Sequence, residues 1–154
     1  MLTDRERQRI EAEMRVYPNP RAAIPEALKI VQDHRGWIPD DAVREIAEVL
    51  GLSPATVEST ATFYNLLLRE PPGRHVIFIC DNVSCWVTGY ALIRDHLCAC
   101  LGIRLGETSP DRRFTLLPAA CIGECDRAPA MMIDGDVYGQ LTPETVDRIL
   151  ERYD

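Results

Sequence analysis

Two pairs of cysteines carry the residues best suited to chemistry. Cys80 and Cys85 bound the segment CDNVSC with four residues between them, and Cys121 and Cys125 bound CIGEC with three. Thiolate sulfur is the ligand of tetrahedral zinc and of iron–sulfur clusters, and both need four donors gathered at one place. Two short pairs with 35 residues between them meet that need, because each loop can grip one side and the fold can join the loops. Zinc sites often use tighter pairs with two intervening residues, so the spacing favours a cluster, with structural zinc as the alternative. Four buried, unliganded thiols are the plain alternative. A thioredoxin-type redox pair would read Cys-x-x-Cys, which the chain lacks. Rieske-type ligation needs histidine inside the ligand loops, and His34, His75 and His96 lie outside them. Cys98 and Cys100, in HLCACLG, are two apart on a predicted helix and cannot face one point, so they read as small core or incidental thiols and not as ligands. The histidines show no partner pattern and take surface or structural roles.

Positioning these sulfurs requires a fold. The chain divides at REPPGR, Arg69 to Arg74, giving a segment 1–70 and a segment 71–154. The first reads as an all-helical bundle. Thr3 with Glu6 forms a capping box for a helix carrying Ile10 and Met14. A second helix starts between Pro20 and Pro25, runs through Leu28, Ile30 and Val31, and stops at Gly36. A third, from about Asp41, buries Val43, Ile46, Ala47 and Leu50 and ends at Gly51; Ser53 and Pro54 open a fourth. Trp37 is expected at a helix–helix turn and Phe63 in the core.

The second segment changes period. HVIFIC, His75 to Cys80, reads as a buried strand, with Cys80 at its end and the other three ligand candidates in loops. An amphipathic helix is predicted from about Val87 to Leu101, carrying Leu92, Ile93 and Leu97. RFTLLP reads as a second strand, and AMMIDGDVYGQL as a hairpin turning at Asp134–Gly135, with Tyr138 as a core candidate. Thr142, Pro143 and Glu144 open a terminal helix through Val146, Ile149 and Leu150. This order implies a small α/β sandwich with helices against a mixed sheet.

With 154 residues, 46% of them hydrophobic, the chain can bury ordinary cores. No apolar run reaches the roughly 18 residues of a membrane span, and MLTDRERQRIEAEM lacks the marks of a secretory or transit signal, so a reducing cytoplasmic home is expected. The net charge of −7 argues against general nucleic-acid binding. One stretch, Val43 to Tyr64, imitates a DNA-binding helix-turn-helix. Its would-be recognition helix, Pro54 to Tyr64, has no Lys or Arg, and the first 70 residues hold nine basic and twelve acidic side chains. A helical hairpin that packs or docks is the better account.

The local charges bear on the metal. An oxidised two-iron, two-sulfide cluster with four thiolates carries a formal charge of about −2. The helix expected after Trp86 would direct its positive N-terminal end toward it. Asp81, Glu124 and Asp126 would oppose a further electron and Arg127 would favour it. A low-potential, one-electron centre is the expectation.

The pattern Cys80-x4-Cys85 with Cys121-x3-Cys125, set in TLLPAACIGECDRAPAMMIDGDVYGQLTPE, closely resembles the thioredoxin-like [2Fe–2S] ferredoxin subunits of bacterial respiratory complex I, NADH:quinone oxidoreductase. PRAAIPEALKIVQDHRGWIPD and VESTATFYNLL resemble the helical region of those subunits, so the likeness covers nearly the whole chain. It implies an N-terminal helical bundle followed by a thioredoxin-like ferredoxin domain of α+β or α/β class. One helix of the thioredoxin core would be replaced by the loop from Cys121 to Pro129. It also implies one [2Fe–2S] cluster on Cys80, Cys85, Cys121 and Cys125, with no catalytic residue of its own. The implied partners are the neighbouring flavoprotein, which carries FMN and the NADH site, and other peripheral-arm subunits. The cluster would exchange single electrons with that flavin, to one side of the main route to quinone. The chain would lie in the cytoplasm, peripheral to the inner membrane through the complex and not inserted in it. It shows no dinucleotide fingerprint of its own. The same module in soluble NAD-linked hydrogenases or formate dehydrogenases is the second reading, and a zinc-bearing or DNA-binding sensor the third.

Overall fold

The structure, a computed structural model, describes residues 1–153. The chain forms two compact units, Met1–Pro71 and a second beginning at Pro72.

The first unit is helical. Helix α1 spans Asp4–Met14, and Thr3 caps it: the Thr3 hydroxyl accepts from the Glu6 amide while the Glu6 carboxylate accepts from the Thr3 amide. A 3-10 turn at Pro20–Ala23 leads into α2, Ile24–Arg35, which ends at Gly36 in the left-handed region. Helix α3, Asp40–Leu50, ends at Gly51 with φ 64°, a conformation that costs glycine nothing. Helix α4, Pro54–Phe63, starts from a Ser53 cap. Ile10, Ile24, Leu28, Ile38 and Ile46 are fully buried among these helices. Each such side chain contributes about 1.5–3 kcal/mol through removal from water. The Gln32 amide donates to the Leu66 carbonyl and accepts from the Leu68 amide, which fixes the chain leaving α4. Phe63 does not join the core: it is 79% exposed and meets Tyr64 edge to face. Trp37 is half-buried.

The second unit is built on a four-stranded mixed sheet in the order β2-β1-β3-β4. Strand β1, His75–Cys80, lies between parallel β2, Phe114–Ala119, and antiparallel β3, Met131–Ile133. Strand β4, Asp136–Tyr138, pairs with β3 across a turn in which Asp134 and Gly135 both have positive φ. That conformation matches the right-handed twist of a two-residue hairpin. Between β1 and β2 run α5, Val83–Thr88, and α6, Tyr90–Leu101; α7, Pro143–Leu150, closes the unit. Ile77, Ile79, Ile93, Leu97, Leu116 and Val146 share its core.

The single helix expected after Cys85 is thus two helices. Gly89, at φ 123°, breaks them, and the first takes in Cys85 itself. Leu92, expected on the buried face with Ile93 and Leu97, is 60% exposed, whereas those two are buried. Tyr138 is half-buried, and its hydroxyl meets that of Tyr153 at 2.7 Å.

Candidate metal centre

The end of β1 and the loop after β2 are neighbours because the two strands run parallel in register, with Cys80 opposite Ala119. Cys80 is buried, and its amide donates to the Ala130 carbonyl at 3.1 Å. Two residues on, Asn82 does two jobs. Its side-chain oxygen caps α5 by accepting from the Val83 amide, and its side-chain nitrogen donates to the Ala120 carbonyl at 2.7 Å. One residue therefore ties the first cysteine loop to the backbone next to Cys121. Nothing in the cysteine spacing points to Asn82; the signal that could have found it is its type, an Asx residue immediately before a helical run.

Cys85 is buried in the first turn of α5, where it meets Cys80. Burial, followed by the neighbouring Cys80 sulfur, pushes the Cys85 thiol up to about 11, partly offset by the Ala130 backbone amide. Charge at Cys125 acts in the same upward direction. A thiol so placed is protonated without metal and must release its proton to become a ligand.

Cys121 and Cys125 are exposed. Gly123, at φ 83°, folds the loop back so that its amide donates to Cys121 Sγ at 3.4 Å. Cys125 begins a 3-10 turn, Cys125–Arg127, and Arg127 forms an ion pair with Glu124. The Arg127 cation expected to favour reduction is therefore shared with an adjacent carboxylate. The loop is held from behind: the Gln140 amide donates to the Arg127 carbonyl at 2.5 Å, and the Leu141 amide to the Pro129 carbonyl at 3.1 Å. Close approach at this point needs glycine at 139. A Cβ there would stand 2.5 Å from Arg127 Cβ and 2.6 Å from its carbonyl oxygen, so backbone would have to move. Gly139→Ala is expected to lower the stability of the chain by about 1–3 kcal/mol, the usual range for overpacking. Urea unfolding reads it, and an unchanged midpoint would show that the loop yields freely.

Two buried sulfurs thus sit at the end of β1 and in α5, and two exposed ones stand on the adjoining loop. Cys98 packs on the core of the second unit, and Cys100 is exposed on α6. Among the described residues, no three of the four sulfurs form a donor group within 4.8 Å of one another. Val83, Trp86 and Val87, 69%, 59% and 79% exposed, lie on the outer side of α5, away from the buried Cys85.

Residues 10–154 match the thioredoxin-like [2Fe-2S] ferredoxin family. The chain belongs to that family. It is 53% identical to the E subunit of the NADH-quinone oxidoreductase of Escherichia coli K12, over 99% of this chain and 92% of that one. To the Pseudomonas aeruginosa protein of the same name it is 50% identical over the same shares. It also resembles, at 29% identity and TM-score 0.67, the NAD+-reducing [NiFe]-hydrogenase in the air-oxidized state, with 87% of this chain covering 22% of that one. Membership makes the helix-turn-helix likeness of α3 and α4 a feature of a ferredoxin-family helical region. In accord with this, Glu58 of α4 is engaged by Arg69 at 2.9 Å.

Proposed function

We propose that this chain is the electron-transfer ferredoxin component of an NADH:quinone oxidoreductase, holding one [2Fe–2S] cluster on Cys80, Cys85, Cys121 and Cys125. When bound, the cluster supplies a one-electron redox centre that exchanges electrons with the FMN of the neighbouring NADH-binding flavoprotein. The observation that carries the reading is identity of 50–53% along 99% of the chain to proteins named as that component. The donor set fits the group: four cysteines, two on each of two adjoining segments, with no histidine among them. The wider spacing of the pairs, with four and three intervening residues, supports two irons over one zinc, whose sites often use tighter pairs.

The chain's own residues do the remaining work. Cys80 and Cys85, sealed beneath α5 and β1, keep water from one side of the centre, while Cys121 and Cys125 leave the other side open. Asn82 ties the two segments together, and Gly139 packs behind the second of them. The uncovered Val83, Trp86 and Val87 supply an apolar face for the flavoprotein partner beside the ligands. No helix among the described residues is long and apolar enough to cross a membrane. In this reading the chain lies on the cytoplasmic side of the inner membrane, held there by other peripheral-arm subunits. Two domains divide the labour: 1–70 as a helical bundle that docks, and 71–154 as the cluster-binding part.

The likeness to the hydrogenase supports a second reading, the same module in a soluble NAD-linked enzyme. It ranks below the first because the identity is lower and the match spans about a fifth of that chain. Iron and acid-labile sulfide per chain, with an EPR spectrum after dithionite reduction, test the centre. Two irons, two sulfides and a rhombic spin-half signal are expected, whereas zinc without sulfide after anaerobic purification and reconstitution would overturn the cluster. Affinity isolation of the tagged chain from its host's membranes tests the assembly. Recovery of NADH:quinone reductase activity is expected, and recovery of hydrogenase or formate dehydrogenase activity instead would reassign it.

A further inference from the structure

The sequence offers no partner for its histidines, yet each meets a carboxylate in the structure: His34 with Glu6, His75 with Asp134, and His96 with Asp147. The third pair has an additional member. His96 and Cys100 lie four residues apart on α6 and so share a face of that helix, and Asp147 comes across from α7. His96 Nε2 stands 2.7 Å from Asp147 Oδ1, Cys100 Sγ stands 3.4 Å from His96 Nε2, and Cys100 Sγ stands 3.5 Å from Asp147 Oδ1. One nitrogen, one sulfur and one oxygen donor therefore already point at each other, from two elements of the same core.

We propose that His96, Cys100 and Asp147 form a second metal site, which takes one divalent cation of the zinc class with water in the fourth position. The separations carry this. Zinc bonds of about 2.0–2.1 Å to nitrogen and oxygen and about 2.3 Å to sulfur set tetrahedral edges of about 3.3–3.6 Å between donors. The two edges that involve sulfur already have this length, and the nitrogen–oxygen edge must open by roughly half an ångström. Exposed side chains can open that far by rotation about χ angles, since Cys100 and Asp147 are both on the surface. The mixed set of imidazole, thiolate and carboxylate selects zinc over the harder magnesium and calcium, which prefer oxygen. On binding, the Cys100 thiol proton and any proton held between His96 and Asp147 pass to solvent, and the metal takes their place. Glu151 lines the same cleft and adds negative charge. Arg113 lines it too, but its guanidinium is engaged by the Tyr153 and Leu150 carbonyls and lies over the Phe114 ring. The bound ion would cross-link α6 to α7 in the folded unit. The site uses no cysteine of the four-sulfur centre and stands whatever that centre holds.

The test uses the full chain, dialysed against zinc sulfate and then against metal-free buffer, with zinc and iron per chain measured by mass spectrometry. The wild type is expected to retain one more zinc than Cys100→Ser or His96→Ala, with equal iron in all three. Asp147→Asn, on the other helix, serves if either variant has lost its circular dichroism. Zinc is also expected to raise the unfolding midpoint of the wild type and not of the variants. Equal zinc in wild type and variants, or none in the wild type, would overturn the proposal. If the four-sulfur centre itself held zinc, that ion would be present in every variant alike and the difference of one would still be read.

Discussion

Cys121→Ser is expected to yield a folded chain that retains essentially no iron or labile sulfide and shows no reduced-state EPR signal. A serine hydroxyl at this position is a hard, weakly acidic donor in place of a soft thiolate, the ligand type that iron–sulfur clusters select. Cys121 is exposed, so the substitution leaves no cavity and no buried unpaired hydroxyl to confuse the outcome. Cys80→Ser is expected to lose the cluster as well, with an added stability loss of about 1–3 kcal/mol for a hydroxyl in the buried end of β1. Cys98→Ser, on α6, is expected to keep two irons and an unaltered spectrum. Wild-type iron, sulfide and line shape in Cys121→Ser would remove Cys121 from the ligand set. Loss of iron in Cys98→Ser without loss of fold would add a sulfur to it.

Much of the fold is legible because its signals are local. Thr3 with Glu6, Ser53 with Pro54, and Asp134 with Gly135 each act within three residues, and the structure shows a capping box, a cap and a hairpin turn at those places. The apolar run HVIFIC likewise reports a buried strand, and the spacing in DDAVREIAEVL reports which side of a helix faces a core. Legibility ends where an apolar residue has no core to face. Val87, Leu92 and Phe63 have the hydropathy of buried residues and are exposed, so the hydrophobic pattern runs on past Gly89 and hides the break between α5 and α6. At the centre, cysteine type and spacing show which sulfurs could serve, but not that Cys80 and Cys85 are sealed while Cys121 and Cys125 are open. Cys80 ends β1, which lies between two other strands, and Cys85 is buried on α5, whereas Cys121 and Cys125 lie in the segment after β2. The pairing of His96 with Asp147 spans 51 residues, and no local pattern announces it.

Glu6→Gln is expected to destabilise the helical unit by about 3 kcal/mol at neutral pH. The Glu6 side chain is 2% exposed and accepts from four directions: Arg35 Nε at 2.8 Å, Arg35 Nη2 at 2.6 Å, the Thr3 amide at 2.7 Å, and His34 Nδ1 at 2.8 Å. Arg35, foremost, holds its carboxyl down at about 2 from an ordinary 4.5. Glutamine preserves the shape but replaces one acceptor with a donor that faces the Arg35 cation, so a bond is lost and a partly buried charge loses its counter-ion. The pH dependence provides a separate reading of the same quantity. Because the folded carboxyl has the lower pKa, its stabilisation is fully present above about 4.5 and is lost as pH falls toward about 2. Over that window the wild type should give up roughly 3 kcal/mol from this group, at about 1.4 kcal/mol per unit, and Glu6→Gln none. The two curves should therefore converge near pH 2. Trp37 reports on this unit alone once Trp86→Phe removes the other of the chain's two tryptophans, so urea unfolding followed by its fluorescence measures the difference directly. A gap between the variants that holds constant from about pH 7 to about pH 2 would mean that glutamine acts through altered contacts and not through charge. No gap at all would mean that the Arg35–Glu6 pair contributes only what its desolvation takes back.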